Sequence, residues 1–306
     1  MENIVTTKDL TKSFGKIEAL KGLNLEAKKG ISGFIGPNGA GKTTTINILL
    51  GLVKPDHGEA HVFGMDCWKQ SFEIRKRVGV LHEKAEFPNY FTGLTYLEHI
   101  AHLYNVPTPK QTVQKALNDV GLTDAADRTI KTYSAGMTQR LGLAQALIGN
   151  PELAILDEPT ANLDPLGRME FLEKIQTLHK DKGTNFLIST HILPELEKIC
   201  NWVSIVNEGT IADQGYIQDL ITKYSTNTYI IKVSEPTQFI KKLGQTNSIE
   251  NAWADGEVIY AKTKNYKQFN KDILELALQL NMSLYAIEPI HSKLNDLFKM
   301  ALERKK

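Results

Sequence analysis

Hydrophobic and polar positions in the first part of the chain predict strands and helices in turn. Residues 4–7 and 17–25 have the pattern of strands, and the apolar run ISGFI at 31–35 predicts a short buried strand that ends in a glycine-rich turn. A helix is predicted over about 42–50, and it stops at Gly51. This order of elements is typical of an α/β protein.

The next part of the chain continues the α/β pattern. Residues 94–150 are predicted to be mostly helical. The uninterrupted apolar runs at 153–156 and 185–190 indicate strands that are buried on both faces of a parallel sheet. A helical stretch at 170–183 separates the two runs and is expected to cross over between them, which makes a βαβ unit.

The composition changes after about residue 222, and STNT at 225–228 is a candidate joint. We therefore predict two domains, residues 1–222 and residues 223–306. The order βαββαβ in the second part favours a small α+β domain of ferredoxin-like order. Its predicted elements are strand 228–234, helix 236–243, strands near 249–253 and 257–263, helix 266–280, strand 282–288 and helix 291–303.

Composition narrows the class of protein. A length of 306 residues suits two domains, and 36 Lys and Arg against 35 Asp and Glu give no basic excess that would point to nucleic acid. Cys67 and Cys200 cannot build a disulfide framework or a four-ligand zinc site, so a reducing cytosol is expected. The first ten residues lack the apolar core of a signal peptide, and the longest apolar stretch, 46–53, is far short of the roughly 18 residues of a spanning helix. Any membrane role is expected to come through a partner.

The segment GPNGAGKT at 36–43 matches the phosphate-binding pattern G-x-x-x-x-G-K-[ST], between a predicted strand and a predicted helix. Glycines there leave backbone N–H groups free to surround phosphate oxygens, and the helix N-terminus adds positive partial charge. Lys42 is expected to reach the β- and γ-phosphates and Thr43 to ligate Mg²⁺. The alternative is a chance match in a glycine turn, on the order of once per hundred chains of this length.

The segment LAILDEP places two carboxylates at the end of a buried strand, where ligands bind in an open α/β sheet. Asp157 is expected to hold Mg²⁺, and Glu158 to orient and deprotonate the attacking water. The alternative is an acidic strand end that caps a nearby helix. The phosphate-binding loop makes this the lesser interpretation.

With three further motifs, residues 2 to about 215 resemble the ATP-binding cassette of ABC transporters. The motifs are YSAGMTQR at 133–140, ANLD at 161–164 and STH at 189–191, and they follow the family order. The resemblance implies a P-loop NTPase fold with a mixed sheet core and a helical subdomain at about 90–150. It also implies that two cassettes close head to tail around two ATP molecules.

The resemblance assigns roles residue by residue. It implies that Ser134 and the Gly136 backbone contact the γ-phosphate in trans, that Asp164 belongs to the D-loop, that His191 is the switch histidine, and that Phe14 stacks on adenine. Taken singly, Phe14 is more often a core residue, and His191 packs at a strand end as often as it catalyses. The expected catalytic residues are Lys42, Glu158 and His191; the expected metal ligands are Thr43, Asp157 and Glu83; the expected ATP-binding residues are Phe14, Gly36, Asn38, Gly39, Ala40, Gly41, Lys42, Thr43, Thr44, Ser134, Gly136 and Asp164.

The chain departs from the family pattern in three places. Glu83 stands where the family has the glutamine of its Gln loop, Ala135 replaces a signature glycine, and Met137 replaces the usual signature glutamine. A carboxylate at position 83 can still ligate Mg²⁺, although it repels the γ-phosphate unless the metal lies between them. We expect these changes to tune turnover and not to abolish it.

Two other features have a structural and a functional interpretation. Glu98, His99 and His102 have a helical spacing that fits a metal, but a solvated helix face is several times more frequent without a further ligand. The aromatic segment 85–97 is either a local core or the groove that, by the family resemblance, receives a cytoplasmic helix of the membrane subunit. Both can hold at once.

The resulting hypothesis is an ATPase subunit that powers a separate transmembrane permease from the cytoplasmic face of the cell membrane. The YSAGM-type signature and the C-terminal extension of about 80 residues resemble the exporters of drugs, antibiotic peptides or polysaccharides. Expected cofactors are ATP and Mg²⁺, and the expected partners are the permease and a second cassette, with no nucleic acid. The alternatives are a soluble ABC-type ATPase that acts on DNA or ribosomes, and a nucleotide sensor that does not hydrolyse ATP. The transported substrate is chosen by residues outside this chain.

Overall fold

The computed structural model describes residues 2–192, 196–224, 227–244, 246, 248–263 and 265–289. The chain divides into two compact units, with the boundary between Leu220 and Ile221. Within the described residues, no helix combines the length and the apolar character that crossing a bilayer requires.

The first unit begins with an antiparallel sheet. The predicted strand 4–7 is part of a longer strand that continues to Phe14, because its second half pairs with the neighbouring hairpin strand. The strands are β1 (Asn3–Phe14), β2 (Ile17–Leu23), β3 (Glu26–Lys28), β5 (His57–Val62) and β6 (Met65–Asp66), in the order β2-β1-β5-β6 with β3 also paired to β1.

The second sheet of this unit has six strands and carries the core of the α/β fold. Every residue of β4 and β8 is buried, as a parallel sheet covered on both faces requires. All neighbours are parallel except β10 and β11, which form a hairpin. The strands are β4 (Ile31–Ile35), β7 (Val78–Leu81), β8 (Leu153–Asp157), β9 (Asn185–Thr190), β10 (Trp202–Asn207) and β11 (Thr210–Tyr216), in the order β11-β10-β4-β9-β8-β7.

Helix ends in the first unit are set by capping residues. Thr92 forms a capping box with Thr95, while Ser134 and Asp164 accept backbone N–H groups at two further helix starts. The helices are α1 (Lys42–Leu49), α2 (Ser71–Arg77), α3 (Gly93–Leu103), α4 (Pro109–Asp119), α5 (Ala135–Leu147) and α6 (Pro165–Lys182). A further helix, α7 (Ile217–Tyr224), contains the boundary between the two units. Helices α3, α4 and α5 contact one another in the region predicted as a helical subdomain.

The second unit has the βαββαβ order in its described part. Its antiparallel sheet has the order β13-β14-β12-β15, and side chains of both helices share one core with it, including Phe239, Phe269 and Ile231. The elements are β12 (Thr228–Val233), α8 (Pro236–Leu243), β13 (Asn251–Asp255), β14 (Val258–Lys262), α9 (Tyr266–Gln279) and β15 (Leu284–Pro289). The predicted helix 291–303 lies outside the described residues.

The two thiols are expected to be unreactive in the folded chain. Cys67 and Cys200 are both buried; burial raises the pKa of Cys67 to about 12, and it also raises the pKa of Cys200. Because the thiolate is the reactive form, we expect a maleimide at neutral pH to label neither residue before unfolding and both in denaturant. Labelling of the native chain at the rate of a free thiol would contradict this expectation.

Candidate active site

Three strand ends meet at one edge of the six-stranded sheet. Strand β9 lies between β4 and β8, so that Ile35 pairs with Thr190 and Asp157 pairs with Ser189. The backbone N–H of Gly36, just after β4, donates to the carbonyl oxygen of Thr190 at 3.2 Å. The phosphate-binding loop, the carboxylate pair and the STH segment are therefore neighbours, at the carboxyl ends of parallel strands.

Glycine is required in the loop that joins β4 to α1. Gly39 and Gly41 have φ values of +81° and +102°, a region that residues with a side chain rarely adopt. A Cβ atom at Gly41 would also lie 2.8 Å from the carbonyl oxygen of Ala19. The loop can therefore pass close to its neighbours and lead directly into the N-terminus of α1, where free N–H groups and positive partial charge favour an anion.

Lys42 holds the loop from inside. Its Nζ donates to the carbonyl oxygens of Gly36 at 2.8 Å and Pro37 at 3.2 Å, and it lies 3.0 Å from Oε1 of Glu158. Both charged side chains are only 6% exposed. Burial of an ion pair is costly unless both partners stay together, so each residue depends on the other for its place in the site.

Asp157 is held through both of its carboxylate oxygens. The hydroxyl of Thr43 donates to Oδ2 at 2.8 Å, and the hydroxyl of Ser189 donates to Oδ1 in a short hydrogen bond. The Asp157 side chain is almost fully buried. An oxygen-rich pair made of Thr43 and Asp157 has the donor chemistry that Mg²⁺ prefers.

Glu158 has an unusual backbone and connects Lys42 to His191. Its φ is +47°, and its backbone N–H donates to both the carbonyl oxygen and the hydroxyl of Ser189, at 3.1 Å each. Oε2 lies 2.8 Å from Nδ1 of His191, whose side chain is partly open to solvent. Within the described residues, Oε1 accepts no hydrogen bond and has only the ion pair with Lys42. A buried carboxylate with one spare acceptor next to a cleft can accept a proton from a water molecule.

The phosphate-binding loop and Glu158 line one cleft of about 450 Å³. Two predicted site residues that are distant from the loop in the sequence, Phe14 and Glu83, also line it. Phe14 lies at this cleft with half of its surface exposed, so the interpretation of Phe14 as a core residue is wrong. Glu83 lies on the same cleft with an exposed side chain. The other lining residues are Ile17, Glu18, Ala19, Asn38, Gly39, Gly41, Lys42, Thr43 and Thr44. Ala40 is buried beneath the loop, where its carbonyl oxygen accepts from the N–H of Gly209.

The signature and D-loop residues line a different cleft of the same unit, of about 790 Å³, which shares no lining residue with the first. Ser134, Ala135, Gly136 and Asp164 lie on it. Ser134 accepts the N–H of Met137 at 3.3 Å, and Asp164 accepts the N–H of Gly167 at 3.0 Å, so both also cap helices. One chain therefore brings together all the predicted site residues except Ser134, Gly136 and Asp164.

The structure also shows the surroundings of two other sequence features, the Glu98, His99 and His102 group and the aromatic segment 85–97. Within the described part of the chain, no group of three or more His, Cys, Asp or Glu residues is placed to hold a metal, so Glu98, His99 and His102 do not form such a site. In the aromatic segment, the rings of Phe87 and Tyr96 pack edge to face at 5.2 Å. Phe87 also lines an open cleft of about 390 Å³, so the segment is both a local core and a surface groove.

Ser189 is a site residue that the motif search did not single out. It is fully buried, and it contacts the carboxylate of Asp157 and the backbone of Glu158. The available signal was the pair of hydroxyl residues Ser189 and Thr190 after the apolar run of a buried strand, because buried polar groups need partners.

Ser189→Ala is expected to weaken the binding of Mg²⁺ together with ATP by about 10–100-fold, as loss of residues that orient metal ligands usually does. Unfolding in urea should show a loss of about 1.5–3 kcal/mol, the usual value for a hydrogen bond to a charged group. Ser204→Ala is the matched control, because Ser204 is also buried but donates to the neutral carbonyl oxygen of Glu26. An unchanged Mg²⁺ dependence of turnover in Ser189→Ala would contradict the positioning role.

Comparisons of this chain with family models and with known proteins agree on one family. The family model described as ABC transporter matches residues 20–161. The ABC transporter ATP-binding protein YhcH of Bacillus subtilis (strain 168), described as uncharacterized, is 32% identical over 97% of this chain and 95% of its own length. The bacitracin transport ATP-binding protein BcrA of Bacillus licheniformis is 40% identical over 70% of each chain.

Further comparisons support the same fold. The daunorubicin/doxorubicin resistance ATP-binding protein DrrA of Streptomyces peucetius is 32% identical over 76% of this chain and 71% of its own length. A dimeric, post-hydrolysis structure of the ATP-binding cassette MJ0796 with ADP and Pi superposes with a TM-score of 0.63. The superposition covers 70% of this chain and 98% of MJ0796 at 23% identity, which is a likeness of fold.

Proposed function

The chain belongs to the ATP-binding subunits of ABC transporters, and we propose that it hydrolyses Mg·ATP to power a separate permease that exports a drug, a peptide or another amphiphile. The observation that carries the proposal is the convergence of Lys42, Asp157, Glu158 and His191 on the end of one phosphate-binding loop. Each of these side chains is held by contacts within the chain.

The cleft fits a nucleotide. Phe14 offers an exposed aromatic face, and base–aromatic stacking contributes about 1–3 kcal/mol with little preference for the base. The glycine-rich loop and the N-terminus of α1 would bind the phosphates through backbone N–H groups, with Lys42 at the phosphate end. The hydrogen bonds from Lys42 to the loop carbonyls keep its ammonium group at the base of the loop.

Thr43 and Asp157 would hold Mg²⁺, with Glu83, which lines the same cleft as Thr43, as a further oxygen ligand. The ion supplies positive charge that stabilises the charge developing on the transferred phosphoryl group. Glu158 would accept a proton from the attacking water, and His191 would hold the carboxylate in position through its hydrogen bond. Without that bond, Oε2 of Glu158 loses its partner.

A second cassette would complete each site. Ser134 and Gly136 lie on a cleft of their own, so a chain cannot use them on the ATP that its own phosphate-binding loop binds. We infer a dimer, of two copies or of this chain with a similar cassette, in which each signature segment faces the partner's ATP. ATP that contacts both cassettes binds the closed dimer more tightly than the open one. This difference in affinity would shift the equilibrium towards the closed dimer.

We infer that the groove at the aromatic segment receives a cytoplasmic segment of the permease, which would place the chain at the cytoplasmic face of the membrane. Tyr90 belongs to the same aromatic segment, next to the groove residue Asn89, and is strongly exposed, although large aromatic side chains are usually covered. Relatives named for bacitracin transport and for daunorubicin/doxorubicin resistance favour an exported amphiphile as cargo.

Affinity purification of the tagged chain from detergent-solubilised native membranes tests this function. We expect a polytopic membrane protein without its own phosphate-binding loop to co-purify, and Tyr90→Ser to reduce its recovery. Trp253→Gln is the control, because Trp253 is an exposed aromatic residue of the other unit. Recovery with ribosomes or DNA, and no permease, would favour the soluble ABC-type ATPase instead.

A further inference from the structure

A cluster of exposed aromatic, aliphatic and basic side chains lies on the surface of the first unit, formed by the turn after α1, the turn before α2 and α2 itself. We call it the basic–aromatic patch; it consists of Leu52, Lys54, Trp68, Lys69, Phe72 and Lys76. The three large apolar side chains are 56%, 45% and 64% exposed at Leu52, Trp68 and Phe72 respectively. None of the six belongs to the active site or to the cleft with the signature residues.

The two segments of the patch are held firmly together. Arg75 Nη1 donates to the carbonyl oxygen of Leu50 at 3.0 Å. Gly51 lies so close to the other segment that a Cβ atom there would be 2.5 Å from the carbonyl oxygen of Cys67. The carboxylate of Asp66 accepts the backbone N–H groups of Trp68 and Lys69 at 2.9 and 2.8 Å. These contacts fix the backbone that carries the exposed side chains. Neither of the two segments covers the apolar side chains of the patch, which therefore stay exposed.

The lysines are arranged around the apolar side chains. The Nζ of Lys54 lies 5.8 Å from the ring centre of Trp68, and the Nζ of Lys76 lies 4.3 Å from that of Phe72. Lys69 is strongly exposed, with its Nζ 3.6 Å from Asp66. Lysine side chains commonly bury their alkyl stems along apolar surface while the ammonium group stays in a polar layer. Lys76 also pairs with Glu73 at 3.1 Å. Counting Arg75, the patch region has four cations and the two carboxylates of Asp66 and Glu73, which leaves a net charge of about +2.

We propose that the basic–aromatic patch binds the surface of an anionic membrane, with Trp68, Phe72 and Leu52 at the level of the headgroups and the lysines on lipid phosphates. Tryptophan favours the interface between water and the bilayer, and lysine near an anionic leaflet is attracted to it. A protein partner is less favoured, because lysine is depleted at protein–protein interfaces although aromatic residues are enriched there. The proposal goes beyond ATP hydrolysis: the motor subunit would touch the lipid directly as well as its permease.

Vesicle flotation with the purified full-length chain tests the proposal, in the absence of nucleotide and permease. We expect the chain to float with vesicles of phosphatidylcholine and phosphatidylglycerol, and much less with pure phosphatidylcholine. Trp68→Gln with Phe72→Gln should lower the partition coefficient about tenfold. Lys54→Gln with Lys69→Gln should lower it about fivefold for each lysine and weaken the preference for anionic lipid.

Fluorescence gives a second measurement that depends on Trp68 itself. Brominated lipid in the anionic vesicles should quench part of the tryptophan emission of the unaltered chain, and this part should be lost in Trp68→Phe. Trp253→Phe is the matched control, because Trp253 is similarly exposed and stacks on Tyr260 in the other unit. ATP hydrolysis by the patch variants should equal that of the unaltered chain, which checks their folding.

Equal flotation of the patch variants and the unaltered chain would overturn the proposal, and so would absence of binding to anionic vesicles. If vesicle binding is absent and the patch variants lose the co-purifying permease, the patch is a protein-binding surface and the lipid proposal is wrong. Either result leaves the assignment of an ATPase subunit intact, because hydrolysis and permease recovery are measured separately.

Discussion

Glu158→Gln is expected to lower the rate of ATP hydrolysis by about 10²–10⁴-fold, the usual contribution of a general base, while ATP binding is retained. Glutamine has the shape of glutamate but cannot take a proton from the attacking water. Its amide can still face Lys42 and His191, which lie at 3.0 and 2.8 Å from the two carboxylate oxygens. Lys42 keeps its hydrogen bonds to the two loop carbonyl oxygens, and the carboxylate of Asp157 is unchanged, so the variant should hold ATP without turning it over.

Single-turnover hydrolysis and retention of labelled ATP measure the two parts of this expectation. Glu152→Gln is the matched control, because Glu152 precedes the opposite end of β8 and pairs with Arg77 at the surface. That ion pair lowers the pKa of Glu152, mainly through its hydrogen bond, but exposed pairs contribute only about 0–1 kcal/mol to stability. Hydrolysis by Glu158→Gln within twofold of the unaltered rate would show that another group removes the proton.

The helices and strands of the second unit could be predicted from the regular periodicity of its apolar residues. The predicted helix 236–243 agrees with α8 (Pro236–Leu243), and the predicted strand 228–234 differs from β12 by one residue. In this unit both helices and the strands β12 and β14 have one clear apolar side, which packs on the shared core around Phe239 and Phe269. Local pattern and tertiary burial therefore give the same answer.

Strands without their own apolar pattern were not predicted. Strand β5 (His57–Val62) has mostly polar residues and exists because it pairs with β1, which lies far away in the sequence. Strand β11 (Thr210–Tyr216) is half-buried throughout and is fixed by its hairpin with β10. Such strands are specified by their partners, and a window of sequence does not contain the partner.

In the candidate site, too, some residues could be placed from the sequence and others could not. The residues that share a strand end, such as Asp157 and Glu158, could be placed from the motif and the buried strand together. The contact of Ser189 with Asp157 depends on the register between β8 and β9, which the sequence does not state. The separation of the signature residues from the phosphate-binding loop is a property of the folded unit, and the family resemblance was needed to expect it.

That separation leads to the second large prediction: two inactive variants should restore activity when they form mixed dimers. Lys42→Arg keeps a positive charge beside Glu158, but the larger guanidinium group does not fit the small space between the carbonyl oxygens of Gly36 and Pro37. Gly136→Asp places a carboxylate on the signature cleft, where it would repel a phosphate. Each variant alone is expected to lose almost all hydrolysis, because every site in its dimer has one damaged half.

A mixed dimer has one site with both halves damaged and one site with both halves intact. With differently tagged copies purified together, we expect about half of the unaltered activity per dimer, because a two-fold interface leaves one intact site in each mixed dimer. The position suits the test, because a Cβ atom at Gly136 would have no contact closer than 3.7 Å and the backbone there is helical. Gly136→Ala is the neutral control and should stay active. Mixed dimers that are no more active than either variant would mean that the signature residues do not complete the partner's site.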